Sequence, residues 1–306
     1  VEIFLAKTQG FCAGVASAVE IVEKALEKYG APLYVYHEIV HNTYVVADFK
    51  KRGVVFVESI QEVPSGARII FSAHGIPPNV IEESKKRGLK FVDATCPLVT
   101  KVHKEAIKFS QKDYEIVLIG HKGHQELTGT AGYVDEKLLN IIETEADVDK
   151  LNISPEEEVA YLTQTTLSVD ETAGIIRKLK EKFPRLIAPP RADICYATQN
   201  RQDSVKDLAK TCDIIIICGS PNSSNSNRLR ETGANQGVES YIIDRAEEFE
   251  VKKLEGKNKI GISSGASVPR WIVDELVDKI RKSYPKVVVH SFDNPEKNIV
   301  FPLPAI

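Results

Sequence analysis

Methionine is absent from all 306 residues and tryptophan occurs once; the missing methionine has no physical explanation in the patterning of the chain. Cysteine is scarce, with five residues and no Cys-x-x-Cys pair. That excludes both a disulfide framework and the usual spacings of structural zinc. No apolar run approaches the length of a membrane span and no signal-peptide pattern opens the sequence, so a reduced, cytoplasmic protein is expected. Charge of one sign is lacking too. The 40 Lys and Arg are interspersed with 43 Asp and Glu, for a net charge of −3. A nucleic-acid footprint and a polybasic membrane patch are therefore not expected. There is no glycine fingerprint for a nicotinamide dinucleotide.

Short β-branched runs do occur, and they alternate with longer helix-period stretches. Strands are expected at Glu2–Ala6, Leu33–Tyr36, Val54–Val57, Arg68–Ser72, Lys90–Asp93, Glu115–Ile119, Glu158–Thr163, Asp213–Cys218, Ser240–Ile243, Lys259–Ser263 and Lys286–His290. Helices are expected at Ala13–Lys28, Pro78–Arg87, Leu98–Gln111, Ser168–Lys182, Thr198–Lys210, Asn225–Gly233 and Pro269–Tyr284. This alternation reads as α/β with small, mostly parallel sheets. The expected division is three α/β units, 1–97, 98–193 and 194–290, followed by a proline-broken tail, 291–306. The first unit carries Cys12 and Cys96 at its ends, the second His124 and Glu126, the third Cys195 and a Ser/Asn loop.

Cys12, Cys96 and Cys195 share one context: each follows a strand-like run and opens a helix-like run. A thiol at a helix N-terminus meets unpaired N–H groups and the positive end of the macrodipole, which favours the thiolate that binds soft metals. An isolated cysteine is more often a small buried hydrophobe, and Cys212 and Cys218, which bracket an apolar run, read that way. Three repeats of the helix-start context point instead to three ligands for one centre with a position left open.

Strand ends are rich in anion-binding side chains. His41, His74, His121 and His124 lie just beyond strands; Ser223, Ser224 and Asn225 lead into one helix, and Ser263, Ser264, Gly265 and Ser267 into another. Taken singly, each Ser or Asn reads equally well as a plain N-cap, and a lone His reads more often as a satisfied surface or core residue. Together they suit a small phosphorylated ligand at the carboxyl ends of parallel strands. Glu126, two residues after His124, can serve as an acid in the same cleft, where a carboxyl pKa rises. Thr165 and Thr166 stand at another strand end, while Ser168 and Glu171 form a capping box.

The ordered segments GFCAGV, EIVHN, SAHGI, DATCPLVTKVH, GHKGHQE, TQTTLSVD, DICYAT, NSSNSNRL and SGAS make the chain resemble the 4-hydroxy-3-methylbut-2-enyl diphosphate reductase family, from near residue 1 to the SGAS helix. The resemblance implies three α/β units around a pseudo-threefold axis and one central [4Fe-4S] cluster held by Cys12, Cys96 and Cys195, with one iron open to substrate. It implies an allylic diphosphate bound by His41, His74, His124, Ser223, Ser224, Asn225 and Ser267. Glu126 matches the family's acid, and Thr165, with Thr166 beside it, matches the residue that orients the hydroxyl. The implied reaction is reductive dehydroxylation to isopentenyl and dimethylallyl diphosphates, the last step of the methylerythritol phosphate route, with electrons from a ferredoxin or flavodoxin. The chain departs from the family pattern at Gln125, where Pro is frequent, at Pro221, where Lys is frequent, and at Ala16 and Ser17, which stand in place of a charged pair. A quinolinate-synthase-like enzyme also has three cysteines and an open iron, but its motifs do not match. A non-catalytic redox sensor needs the thiolates but neither the anion cluster nor Glu126.

Overall fold

The four Ile residues of Ile214–Cys218 alternate between two cores. Ile214, Ile216 and Cys218 face one side of a sheet and Ile215 and Ile217 the other, all at 0% exposure. A strand covered on both faces is the signature of a parallel sheet with helical crossovers, and that architecture runs through the computed structural model, which describes residues 1–306. In chain order the elements are β1 (Glu2–Leu5), α1 (Ala13–Tyr29), β2 (Leu33–Tyr36), α2 (Thr43–Lys51), β3 (Val54–Val57), β4 (Arg68–Phe71), α3 (Pro78–Lys86), β5 (Lys90–Asp93), α4 (Pro97–Ser110), β6 (Glu115–Ile119), α5 (Gln125–Ala131), β7 (Leu139–Ile142), α6 (Glu145–Asp149), β8 (Val159–Thr163), α7 (Val169–Lys182), α8 (Tyr196–Ala209), β9 (Ile214–Cys218), α9 (Ser224–Asn235), β10 (Glu239–Ile243), β11 (Lys259–Ser264), α10 (Arg270–Ser283) and β12 (Val288–His290).

The strands form three sheets, with orders β10-β9-β11-β1-β12, β3-β2-β4-β5 and β7-β6-β8. All pairings are parallel. The expected strands are present with ends moved by a residue or two; β7, α2, α5 and α6 are additional. Chain contacts divide the molecule into two compact units. One comprises Val1–Ala16, His41–Val46 and Tyr196–Val300; the other comprises Ser17–Val40, Ala47–Cys195 and Phe301–Ile306.

The first unit holds the five-stranded sheet. The α10 stripe Ile272, Val273, Leu276, Val277 and Ile280 covers one face; Val205 and Leu208 of α8 and Leu229 of α9 cover the other. Each fully buried aliphatic side chain contributes about 1.5–3 kcal/mol of burial, so a helix with five on one face is fixed by packing more than by intrinsic propensity. The second unit holds the other two sheets. Val102, Ala106 and Phe109 of α4 lie on Ile116, Leu118, Ala160 and Leu162 of the three-stranded sheet, and Ile175, Leu179 and Phe183 cover its opposite face. Residues 291–306 contain no helix or strand, as their prolines require.

Candidate functional site

In the first unit the polar residues at the strand ends are tied to one another. Ser223 caps α9: its Oγ accepts the N–H of Ser226 at 3.3 Å and the hydroxyl of Ser226 at 3.1 Å. Its own hydroxyl proton remains to donate elsewhere. Ser224 opens the helix, half-buried. Asn225 is 5% exposed, and neither its Oδ1 nor its Nδ2 has a hydrogen-bond partner in the protein. Burying an amide in that state is costly unless a ligand completes it. The helix start reaches the sheet because glycines follow β9 and β11. A Cβ at Gly219 or Gly265 would stand 2.3 or 2.1 Å from Ser226 Oγ.

His41 precedes α2, and its carbonyl accepts the Ser267 hydroxyl at 2.8 Å. Asn42 Oδ1 accepts the Val45 N–H at 3.0 Å, capping α2. The Thr43 N–H donates to Ser220 Oγ at 3.2 Å, and the hydroxyls of Ser220 and Thr43 both donate to the Asp244 carboxylate at 2.5 Å. Asp244 and Ser220 thus join the ends of β10 and β9 to the turn that carries His41. Sequence reasoning missed both; the only signal was their position one or two residues beyond a strand. Cys12 lies just before α1. Its N–H donates to Ala266 O at 3.0 Å and its Sγ accepts the Val15 N–H at 3.5 Å.

In the second unit Cys96 is the N-cap of α4, and Pro97 occupies the first helical position, where a missing N–H costs nothing. The Cys96 N–H donates to Ala73 O at 3.0 Å. Cys195 immediately precedes α8. The segment that carries it is anchored by Asp193, whose Oδ2 accepts the Thr163 N–H at 2.9 Å and whose Oδ1 pairs with Lys101 at 2.9 Å. Neither Lys101 nor Asp193 was anticipated, because α4 and the segment before Cys195 meet only in three dimensions.

His124 is the N-cap of α5; its Nδ1 accepts the Glu126 N–H at 3.2 Å. The neutral ring therefore carries its proton on Nε2, as a donor. The rings of His74 and His124 stand edge-to-face with centroids 6.1 Å apart. Glu126 is 3% exposed. Its Oε1 accepts the Thr165 N–H at 2.6 Å and its Oε2 the Thr165 hydroxyl at 2.8 Å. The Thr165 carbonyl in turn accepts the Cys195 N–H at 3.1 Å. Burial pushes the Glu126 carboxyl up to about 7, opposed by the two Thr165 donors and reinforced by the nearby charge of Asp193. Thr166 Oγ1 accepts from Gln164 Nε2 at 2.9 Å.

No three His, Cys, Asp or Glu side chains stand close enough to hold a single metal ion. Thiolates of a polynuclear cluster are spaced more widely than that. Cys12, Cys96 and Cys195 all directly precede helices, are partly exposed and are not joined in disulfides. As soft donors at helix N-termini they fit an iron–sulfur group. Cys212 and Cys218 differ: both are buried, and burial pushes the Cys218 thiol up to about 12. No helix is long and apolar enough to cross a membrane.

A family model described as LytB protein matches residues 3–281. A protein of Nitrosomonas europaea named 4-hydroxy-3-methylbut-2-enyl diphosphate reductase is 48% identical over 311 residues, covering 99% of this chain and 96% of that relative. One of Burkholderia mallei, named as reductase 2 of the same kind, is 51% identical over 303 residues, covering 99% and 92%. The solved structure of the E-1-hydroxy-2-methyl-but-2-enyl-4-diphosphate reductase from Plasmodium falciparum aligns with a TM-score of 0.96 at 38% identity, over 99% of this chain and 95% of that one. A second solved structure, titled as the terminal enzyme of the non-mevalonate pathway, aligns with a TM-score of 0.66 at 34% identity, over 92% of this chain and 99% of that one.

Proposed function

The chain belongs to the LytB protein family, and on that premise we propose that it reduces (E)-4-hydroxy-3-methylbut-2-enyl diphosphate to isopentenyl and dimethylallyl diphosphates. The cofactor in this reading is one [4Fe-4S] cluster held by Cys12, Cys96 and Cys195, with one iron free of protein ligands. When bound, it supplies electrons and a Lewis-acidic iron at the allylic C–O bond. In this reading the chain comprises three α/β units, 1–97, 98–193 and 194–290. The electron donor is a ferredoxin or flavodoxin, and the enzyme works in the cytoplasm.

The protein's own part is binding and proton delivery. Asn225, with its amide otherwise unpartnered, and Ser223, with a hydroxyl proton to give, take phosphate oxygens at the start of α9 beside Ser224. Ser267 exchanges its bond to the His41 carbonyl for one to the ligand. His41, His74 and His124 add ring donors. Two electrons and two protons convert the substrate to product and water. Glu126, protonated by virtue of its burial, gives one proton to the departing hydroxyl. Thr165, bonded to both Glu126 oxygens, orients that hydroxyl, and Thr166 stands beside it. The second proton ends on either terminus of the allyl system, which accounts for two products.

The observation that carries this reading is the Glu126–Thr165–Cys195 connection: a buried acid and the backbone of a thiolate ligand hang on one threonine. The test is Glu126→Gln in anaerobically loaded protein. The amide keeps the shape and loses the proton, so kcat falls by about 10²–10⁴, the range of a general acid. Substrate still binds and iron content is unchanged. Turnover near the parental rate, or failure through loss of iron, refutes the assignment.

A further inference from the structure

The segment between β1 and α1 that carries Cys12 is pinned within the first unit by more than its neighbours in sequence. The Gly10 N–H donates to Ser264 Oγ at 3.1 Å, and the Cys12 N–H to Ala266 O at 3.0 Å. The Gly10 carbonyl accepts Arg201 Nη2 at 2.9 Å. Gly10 has a φ of +75°, the left-handed region that glycine enters freely, so these bonds, and not a side chain, set the direction of the turn.

Arg201, on α8, is 0% exposed. While Nη2 holds Gly10, Nη1 donates to Glu296 Oε2 at 3.0 Å, to Glu296 Oε1 at 3.3 Å and to Ala197 O at 3.0 Å. Glu296 lies in the irregular C-terminal tail and is itself 7% exposed. It also accepts Asn200 Nδ2 at 2.9 Å, and its N–H is held by Asn294 Oδ1 at 2.9 Å. A guanidinium removed from water requires a counter-charge, and the tail carboxylate supplies it. Such a pair adds little net stability, because desolvation offsets most of the attraction. Its specific consequence here is that a planar fork is aimed at one carbonyl, two residues from a thiolate.

We propose that Arg201 and Glu296 are positioning residues for Cys12: the tail carboxylate fixes the guanidinium, and the guanidinium fixes the turn that presents the sulfur. This deepens the reading above and rests on Cys12 being a cluster ligand. The C-terminal tail is thereby part of the support of the cluster. The fork is essential, because a lysine ammonium can satisfy Glu296 or Gly10 but lacks the width to serve both.

The experiment uses full-length protein reconstituted anaerobically. It reads iron and sulfide content, the rate of iron loss to a ferrous chelator, the paramagnetic resonance spectrum of the reduced cluster, and the melting of the stripped protein. Arg201→Lys keeps the charge pair; its stripped form melts with the parent, yet iron is lost about tenfold or more faster, the size of effect seen for supporting residues around metal ligands, and the spectrum changes. Arg201→Met with Glu296→Met replaces the pair by apolar side chains. It recovers the melting temperature lost in Arg201→Met alone but loses iron as fast as Arg201→Lys does. The proposal is overturned if both variants hold iron at the parental rate with the parental spectrum, or if the double variant recovers stability and iron retention together. If Arg201→Lys does not fold, the double variant decides. Cys12→Ser is the control: parental iron content there removes the assignment of Cys12 itself, a result distinct from failure at Arg201.

Discussion

Glu126 is an ionisable side chain placed where its charge is disfavoured. Its ordinary value of 4.5 is pushed up to about 7 by burial, so between those values the folded chain holds a proton that the unfolded chain has released. Stability contributed by this group is present in full below pH 4.5 and is lost as pH rises through 7. Glu126→Gln carries no ionisable proton and escapes that loss. The stability difference between variant and parent, from urea melts of the stripped proteins, grows in favour of the variant by roughly 3 kcal/mol between pH 4.5 and 7. A difference flat with pH refutes the raised value. In the loaded parent, kcat falls as pH rises above about 7. The His124–Glu126 pair was legible in the sequence because the two residues lie two apart in the segment that follows the Glu115–Ile119 strand. Asp244 and Ser220 were not, because a carboxylate that organises a distant turn leaves no local spacing to read.

Among the elements, α5 shows most clearly where periodicity ends as a guide. Its sequence, QELTGTA, has seven residues, two threonines and a glycine, and no apolar stripe. It is helical because His124 caps it and because glycine lets it settle on the turn after β4. A Cβ at Gly129 would meet Gly75 O at 3.1 Å, and one at Gly132, just past the helix, would stand 2.4 Å from Pro77 Cβ. These contacts hold the backbone next to His74 against the helix that carries Glu126. Gly132 has an ordinary helical φ of −64°, so alanine there is strained by crowding alone. Gly132→Ala is expected to destabilise by about 1–3 kcal/mol, the usual cost of overpacking, and to lower the melting temperature; a melt identical to the parent's would show that Pro77 yields without cost. Long amphipathic helices such as α10, by contrast, were readable to within a residue, since a buried stripe fixes both period and extent.

For the molecule as a whole, the sequence disclosed strands better than partners. β1 pairs between β11 and β12, which follow it by more than 250 residues, and alternation of apolar residues carries no information about which strands will meet. The proposed cluster makes a similar long-range demand. Cys12, Cys96 and Cys195 lie roughly 80–100 residues apart along the chain, and joining them through metal closes long loops whose entropy the stripped chain retains. A group that binds the folded state alone stabilises by mass action, by about 4 kcal/mol when the free ligand is 1,000-fold above its dissociation constant. For a chain of this size that corresponds to a rise in melting temperature on the order of 10 °C. Anaerobic calorimetry of loaded and chelator-stripped protein measures it directly. The loaded form melts higher, and Cys96→Ser, with one ligand gone, melts close to the stripped parent whether or not iron and sulfide are offered. Equal melting of loaded and stripped parent would mean that the three thiolates are not joined by a common metal centre, and the catalytic reading built on them would fall with it.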